Sequence, residues 1–257
     1  MGAIIMGTMR CLVFLIAVSV FAQPAFEVAS VKPSPPAGML GYLTYSGGRV
    51  RCGHCTLEML ITYAFDIQQF QISGGPDWIH TERYEMDARV PSSSESSKAN
   101  PSVSNAPMTT EQRAMLATLL KDRFQLRFHR ETSNAPVYFL MKGSKPLKLM
   151  PAKTVRDFPW VGSPHNGDVR GDGVAGISVT MPILAFKLSR YLGRPVVDRT
   201  GIKGYFDFQY DYVSDDPHPN VISTIVTSVD ELGLKLKSGK GPVERILIDQ
   251  AEKPSPN

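Results

Sequence analysis

The sequence predicts an α+β fold: two tandem strand–helix–strand–strand–helix–strand–strand repeats whose antiparallel or mixed sheets are covered by helices. Three observations predict it. Apolar residues recur with a period of about two in some stretches and about 3.6 in others. The order of these stretches repeats once along the chain. Strand-like runs also come in adjacent pairs, which regular strand–helix alternation in a parallel sheet would not give.

The elements follow in chain order. Residues 1–22 read as a signal peptide: Arg10 precedes the apolar run Cys11–Phe21, and Val20 and Ala22 stand near the exit. The run is too short to span a bilayer comfortably. Cys11 opens that run and does not follow it, so it is not placed as a lipoprotein cysteine. The expected location is therefore periplasmic or secreted, with membrane contact only through the leader or a membrane partner.

Residues 23–148 form the expected first repeat. A strand-like run begins at Gly48, Thr56 is placed to cap a helix carrying Leu57, Leu60, Ile61 and Ala64, and Tyr84–Val90 alternates as a strand. Thr109-Thr110-Glu111-Gln112 opens a second helix with Met115, Leu116, Leu119 and Leu120 on one face. Gln125–Arg130 and Pro136–Met141 then read as paired strands. The stretch 91–107 has no apolar periodicity and is expected to be a flexible loop.

Residues 149–172, broken by Pro151, Pro159, Gly162, Pro164 and Gly167, are expected to link the halves. Residues 173–257 form the second repeat. Thr180 opens a helix with Ile183, Leu184 and Leu188, and Tyr205–Tyr210 alternates, with Phe208 and Tyr210 expected in the core. Ile222–Leu232 is a helix stopped by Gly233, and Leu234–Lys237 with Pro242–Ile248 form the last pair. The ends echo each other: Phe26–Pro35 resembles Ile246–Pro256, and the two are expected in equivalent places.

Composition narrows the function classes. The chain has 257 residues, 42% hydrophobic and 20% charged, as globular proteins do. Its formal net charge is +4, one less without Arg10, and no basic block occurs, which argues against nucleic acid and against a polybasic membrane patch.

The stretch most suggestive of chemistry is Cys52-Gly53-His54-Cys55, a dithiol between a strand and a helix start, where a thiolate is stabilised by the helix dipole. Three features oppose catalysis there. Thr56 is the better cap, Arg51 stands where thioredoxin-like motifs carry an aromatic residue, and the surrounding order of elements is not theirs. Aligning Thr56 with Thr180 sets Cys55 against Val179 and Cys52 against Gly176, so the pair reads as a structural disulfide or as buried thiols. His54, His80, His129, His165 and His218 show no metal-ligand spacing. No cofactor or metal is expected. Asp77 and Trp78, in the turn Ser73-Gly74-Gly75-Pro76-Asp77-Trp78, and Asp198 with Arg199 are candidate binding residues. Each has a plainer role as turn or anchor.

Phe26-Glu-Val-Ala-Ser-Val-Lys-Pro33, Ile72-Ser-Gly-Gly-Pro-Asp-Trp78, Leu119-Leu-Lys-Asp-Arg-Phe124, His129-Arg-Glu131, Gly193-Arg-Pro-Val-Val-Asp-Arg-Thr-Gly201 and Glu252-Lys-Pro-Ser-Pro256 resemble a family of exported proteins with a "soil-associated" domain of unknown function, abundant in acidobacteria and other soil bacteria. The resemblance covers the chain beyond the leader. It implies an extracytoplasmic protein, some of whose relatives are fused to membrane-embedded sensor-type metallopeptidase modules, and it brings no catalytic residues. A lesser likeness, carried by Thr56-Leu57-Glu-Met-Leu60-Ile61, is to the short N-terminal domain of secretins and TonB-dependent receptors, which implies partner binding. The expectation is a non-catalytic envelope module for a protein, peptide or glycan. The alternative is a thiol–disulfide oxidoreductase using Cys52 and Cys55, with His54 tuning the thiolate.

Overall fold

The computed structural model describes residues 23–35, 41–46, 48–94, 108–156, 159–164, 173–213 and 220–255. The expected leader lies outside them, as do residues 95–107 of the expected flexible loop. In chain order the elements are β1 (Val28–Pro33), β2 (Tyr42–Ser46), β3 (Arg49–Cys55), α1 (Leu57–Phe65), β4 (Ile72–Gly74), α2 (Trp78–Thr81), β5 (Tyr84–Arg89), α3 (Thr110–Phe124) and β6 (Arg127–Lys142). There follow β7 (Met150–Pro151), β8 (Trp160–Gly162), β9 (Gly173–Val179), α4 (Met181–Leu192), β10 (Val196–Asp198), β11 (Phe206–Asp211), α5 (Val221–Glu231) and β12 (Leu234–Gln250). The fold is α+β.

Local chemistry explains the helix starts. Thr56 Oγ1 accepts from the Met59 N–H at 3.2 Å, and Thr109 with Gln112 forms a reciprocal capping box ahead of α3. Asn220 caps α5 through its side-chain oxygen. Thr180 occupies the cap of α4, but its side chain makes no capping bond, and Pro182 supplies the preset first turn. Gly233 takes a positive φ after α5, where the sequence placed the stop.

The strands form three four-stranded sheets. Two are outer sheets, ordered β1-β5-β3-β2 and β7-β11-β9-β8. The third, central sheet is ordered β10-β6-β12-β4. β7 and β8 come from the stretch expected to link the halves, so part of that stretch is built into the second outer sheet.

The expected strand pairs are corrected here. Gln125–Arg130 and Pro136–Met141 are not two strands folded on each other; they run together as β6, 16 residues long. The last pair likewise runs together as β12, 17 residues long. β6 and β12 pair antiparallel along their length, from Leu234 opposite Lys142 to Gln250 opposite Arg127. The turn-like residues between the expected strands have another purpose. A Cβ on Gly239 would lie 2.5 Å from the Phe139 ring, so this glycine makes room for a cross-strand aromatic.

The long ladder ties the two halves together. Ile246 and Ile248 of β12 belong to the core formed by the first outer sheet, α1 and α3, and Phe128 of β6 packs against it. Leu140 of β6 belongs to the core formed by the second outer sheet, α4 and α5, beside Leu234. The short strands cross as well: β4 pairs parallel with β12, and β10 with β6. The expected equivalence of the chain ends does not hold. β1 is an edge strand bonded to β5 alone, whereas Ile246–Ile248 lies inside the central sheet between β6 and β4.

Because each core contains side chains from the other half, damage to one core should be felt by both. Leu140→Ala and Ile246→Ala, at positions 0% and 1% exposed, are each expected to cost about 2–5 kcal/mol. Chemical denaturation should show one transition shifted as a whole. A two-step curve with one step unmoved would contradict the shared architecture.

Candidate functional site

Cys52 and Cys55 lie at the end of β3 and are joined by a disulfide, with Cα atoms 6.0 Å apart. They are 2% and 0% exposed and sit in the first core. Thr56 caps α1, so the cysteines close a strand and do not start the helix. Between Cys52, opposite Met86, and Cys55, opposite Tyr84, β3 carries one residue more than β5, which makes a β-bulge. At the bulge His54 takes φ 53°, and its backbone N–H donates to Glu85 Oε1 at 3.2 Å. The second outer sheet has the same device without cysteines. Gly176 faces Phe208, Val179 faces Phe206, and between them Ser178 takes φ 56° and donates its N–H to Asp207 Oδ1 at 2.8 Å. The disulfide therefore locks a bulge of a kind that the second outer sheet forms without one. Neither sulfur is presented to a thiolate, as exchange chemistry requires.

Two polar clusters escaped the sequence reading. Ser34 Oγ donates to Glu85 Oε1 at 2.8 Å and lies 2.6 Å from His54 Nδ1, while Arg83 donates to the His54 carbonyl at 2.9 Å. A Ser–His–acid relay places the imidazole between hydroxyl and carboxylate. Here the hydroxyl is in the middle, so the cluster fastens the end of β1 to the bulge. The second centres on Glu58, a buried carboxylate that accepts from Gln69 Nε2 and pairs with His80 Nδ1 at 3.0 Å, tying α1 to α2. Both join residues far apart in sequence, and only local spacing was legible there.

The other expected site residues do not converge. Trp78 stacks on Phe124 and meets Tyr84 edge-on, with ring centroids 6.4 Å apart in each case, so it anchors the first core; Asp77 is exposed beside it. Asp198 Oδ1 accepts from the backbone N–H and hydroxyl of Thr200, each at 2.8 Å, and the Arg199 guanidinium lies 3.7 Å over the Phe139 ring. β4 and β10, which lead into these two turns, are the opposite edges of the central sheet. Among the described residues no group of three or more potential metal ligands forms, and no helix is long and apolar enough to cross a membrane.

What the fold does bring together is a charged surface. Strand alternation turns Val31, Val50, Cys52 and Met86 into the core. The same alternation turns Lys32 of β1, Glu85, Asp87 and Arg89 of β5, Arg49 and Arg51 of β3, and Tyr42 and Thr44 of β2 to the outside. Arg49 grips Asp87 through Nε and Nη2, both at 2.5 Å, and Arg51 stands 3.6 Å from the same carboxylate. The Arg49 hydrogen bonds, then the nearby positive charges of Arg49, Arg51 and Arg89, hold the Asp87 carboxyl below its ordinary range, and the same pairing raises Arg49. Arg89 lies directly opposite Arg49. Tyr42, 49% exposed, lays its ring over Gly53, where any Cβ would come within 2.5 Å of it.

Two outcomes are expected. Folded protein lacking residues 1–22, and with them Cys11, should not react with a thiol probe, and Cys52→Ala/Cys55→Val, which places valine where the other bulge has it, should fold with a loss of about 2 kcal/mol or less by thermal or chemical melts. Asp87 has a folded pKa below its unfolded value of about 3.9, so its stabilisation is present above that value and is lost as pH falls further. The melting temperature should drop below about pH 4, and by less in Asp87→Asn, the effect being small because the pair is partly solvated.

No curated protein and no solved structure shows a significant match to the chain. A family-wide sequence model matches residues 58–251, from α1 to the end of β12 and thus across both cores. The chain therefore belongs to the family described as "protein of unknown function (DUF3738)".

Proposed function

We propose that this chain is a non-catalytic binding module of the bacterial cell envelope, which engages a protein, peptide or glycan through the outward face of its first sheet. The observation that carries the reading is that face: Arg49, Arg51, Arg89 and Tyr42 project to solvent from a rigid, hydrogen-bonded sheet. Binding residues held on strands need little ordering when a partner arrives. The groups that the sequence offered for chemistry have structural tasks instead: Cys52 with Cys55 as a buried cross-link, Asp198 in a turn, Trp78 in a core. Export is supported by the leader-like residues 1–22 and by a disulfide, which suits an oxidising compartment. We also propose that the halves are two copies of one unit. The matching strand orders of the outer sheets and the paired bulges support this.

The test is co-sedimentation of the purified chain with washed envelope fragments. The wild type and Cys52→Ala/Cys55→Val should sediment, and Arg51→Glu/Arg89→Glu should stay in solution. A charge-reversed variant that still sediments would defeat the proposal, as would a wild type that does not.

A further inference from the structure

We infer that the outward face of the first sheet binds a carboxylate-bearing polysaccharide, of the kind built from uronic-acid sugars. This rests on the binding-module reading and names its ligand class.

The charge on the face is unbalanced. Lys32, Arg49, Arg51 and Arg89 share it with two acids, Glu85 and Asp87. Neither acid is idle. Glu85 is held by Ser34 and by the His54 N–H at the bulge end, and Asp87 is gripped by Arg49. Arg51, 3.6 Å from Asp87, and Arg89, set directly against Arg49, keep guanidinium donors for another acceptor. Like charges directly opposite in an antiparallel pair weaken the sheet. Asp87 offsets part of this repulsion from the Arg49 side, and an anion at Arg51 and Arg89 would offset more. A carboxylate fits best, because the planar guanidinium fork matches its two oxygens.

The tyrosine specifies the rest of the ligand. Tyr42 packs its ring against Gly53 and is half exposed, so part of the ring rests on the sheet and part meets solvent. Gly53 is needed for this, since a side chain there would lift the ring. A flat aromatic platform suits the C–H face of a pyranose. An acidic peptide made of Asp and Glu alone offers no such flat apolar face. Tyr42 pairs with Gly53 and Thr44 with Arg51, so the platform and the nearest guanidinium are diagonal neighbours across β2 and β3. Adjacent strands are about 4.8 Å apart, close to the length of one sugar in an extended chain. Successive carboxylates would then meet Arg51 on β3 and Arg89 on β5.

The experiment is a titration of the full chain, followed by backbone amide NMR, with tetragalacturonate, its methyl ester, octaglutamate and a single-stranded oligonucleotide. Tetragalacturonate should bind saturably, shift the amides of Tyr42, Arg51, Gly53 and Arg89, and weaken as salt rises. Its neutral methyl ester should bind at least about tenfold more weakly. Tyr42→Ala and Arg51→Gln/Arg89→Gln, checked by their melting points, should each lose about tenfold or more in affinity. Equal binding of the methyl ester overturns the inference, as do tighter binding of octaglutamate or the oligonucleotide, shifts confined to other surfaces, and no saturable binding. If tetragalacturonate fails while Arg51→Glu/Arg89→Glu still releases the chain from envelope fragments, only the ligand class falls. If that variant remains bound to the fragments, the binding reading falls with it.

Discussion

The β6–β12 ladder is the constraint on which the rest depends. Two strands of 16 and 17 residues are paired from end to end, so the middle of the molecule is a single backbone hydrogen-bond system. Each strand enters one core near its start and the other near its end. Phe128 and Leu140 on β6, and Leu234 and Ile248 on β12, divide between the two clusters. A helix pair covering an outer sheet therefore does not finish its own core; the other half's long strand does. The edges of the central sheet follow the same logic. β4 and β10 are only three residues each and add to the long strand of the other half, β4 at Ile246–Ile248 of β12 and β10 at Tyr138–Leu140 of β6.

Around that ladder, the outer sheets deliver the chain into α1 and α4 by the same local device. A bulge at His54 or Ser178 places one non-glycine residue in the left-handed region, a conformation that costs of order 1–3 kcal/mol. In each case a carboxylate on the neighbouring strand, Glu85 or Asp207, accepts the freed N–H. Thr56 or Thr180 then occupies the helix cap two residues later. The Cys52–Cys55 bridge cross-links one of two such corners, which is why its resemblance to a redox motif is one of spelling and not of setting. A redox dithiol needs an accessible sulfur at a helix start; this pair is buried at a strand end.

The outward face of the first sheet differs from both cores in what holds it. Its charges are fixed by strand register and not by packing: Arg49 and Arg51 reach Asp87 because β3 and β5 align them. A face organised by backbone pairing keeps its side chains available to solvent while their spacing stays constant. That is the property a binding surface needs, and it separates these residues from Trp78 or Arg199, whose aromatic contacts hold them against the protein itself.

The sequence by itself determined what depends on neighbours a few residues apart. The α+β class followed from the two periodicities, and the caps at Thr56 and Thr109 and the stop at Gly233 from local hydrogen bonding and the allowed φ of glycine. The alignment of Cys55 with Val179 was also legible, because both precede a threonine at the cap position of a helix. Tertiary structure decided everything that rests on which strand meets which. Leu234–Lys237 and Pro242–Ile248 were expected as two strands, and only the partner strand's Phe139 shows why Gly239, between them, lies in a strand interior. The chain ends looked alike, yet one is an outer edge and the other an inner strand, because similar residues do not fix register. Arg49, Arg51 and Arg89 looked dispersed in a weakly basic chain. Antiparallel pairing sets positions 40 residues apart in sequence face to face, and only that pairing made them one surface.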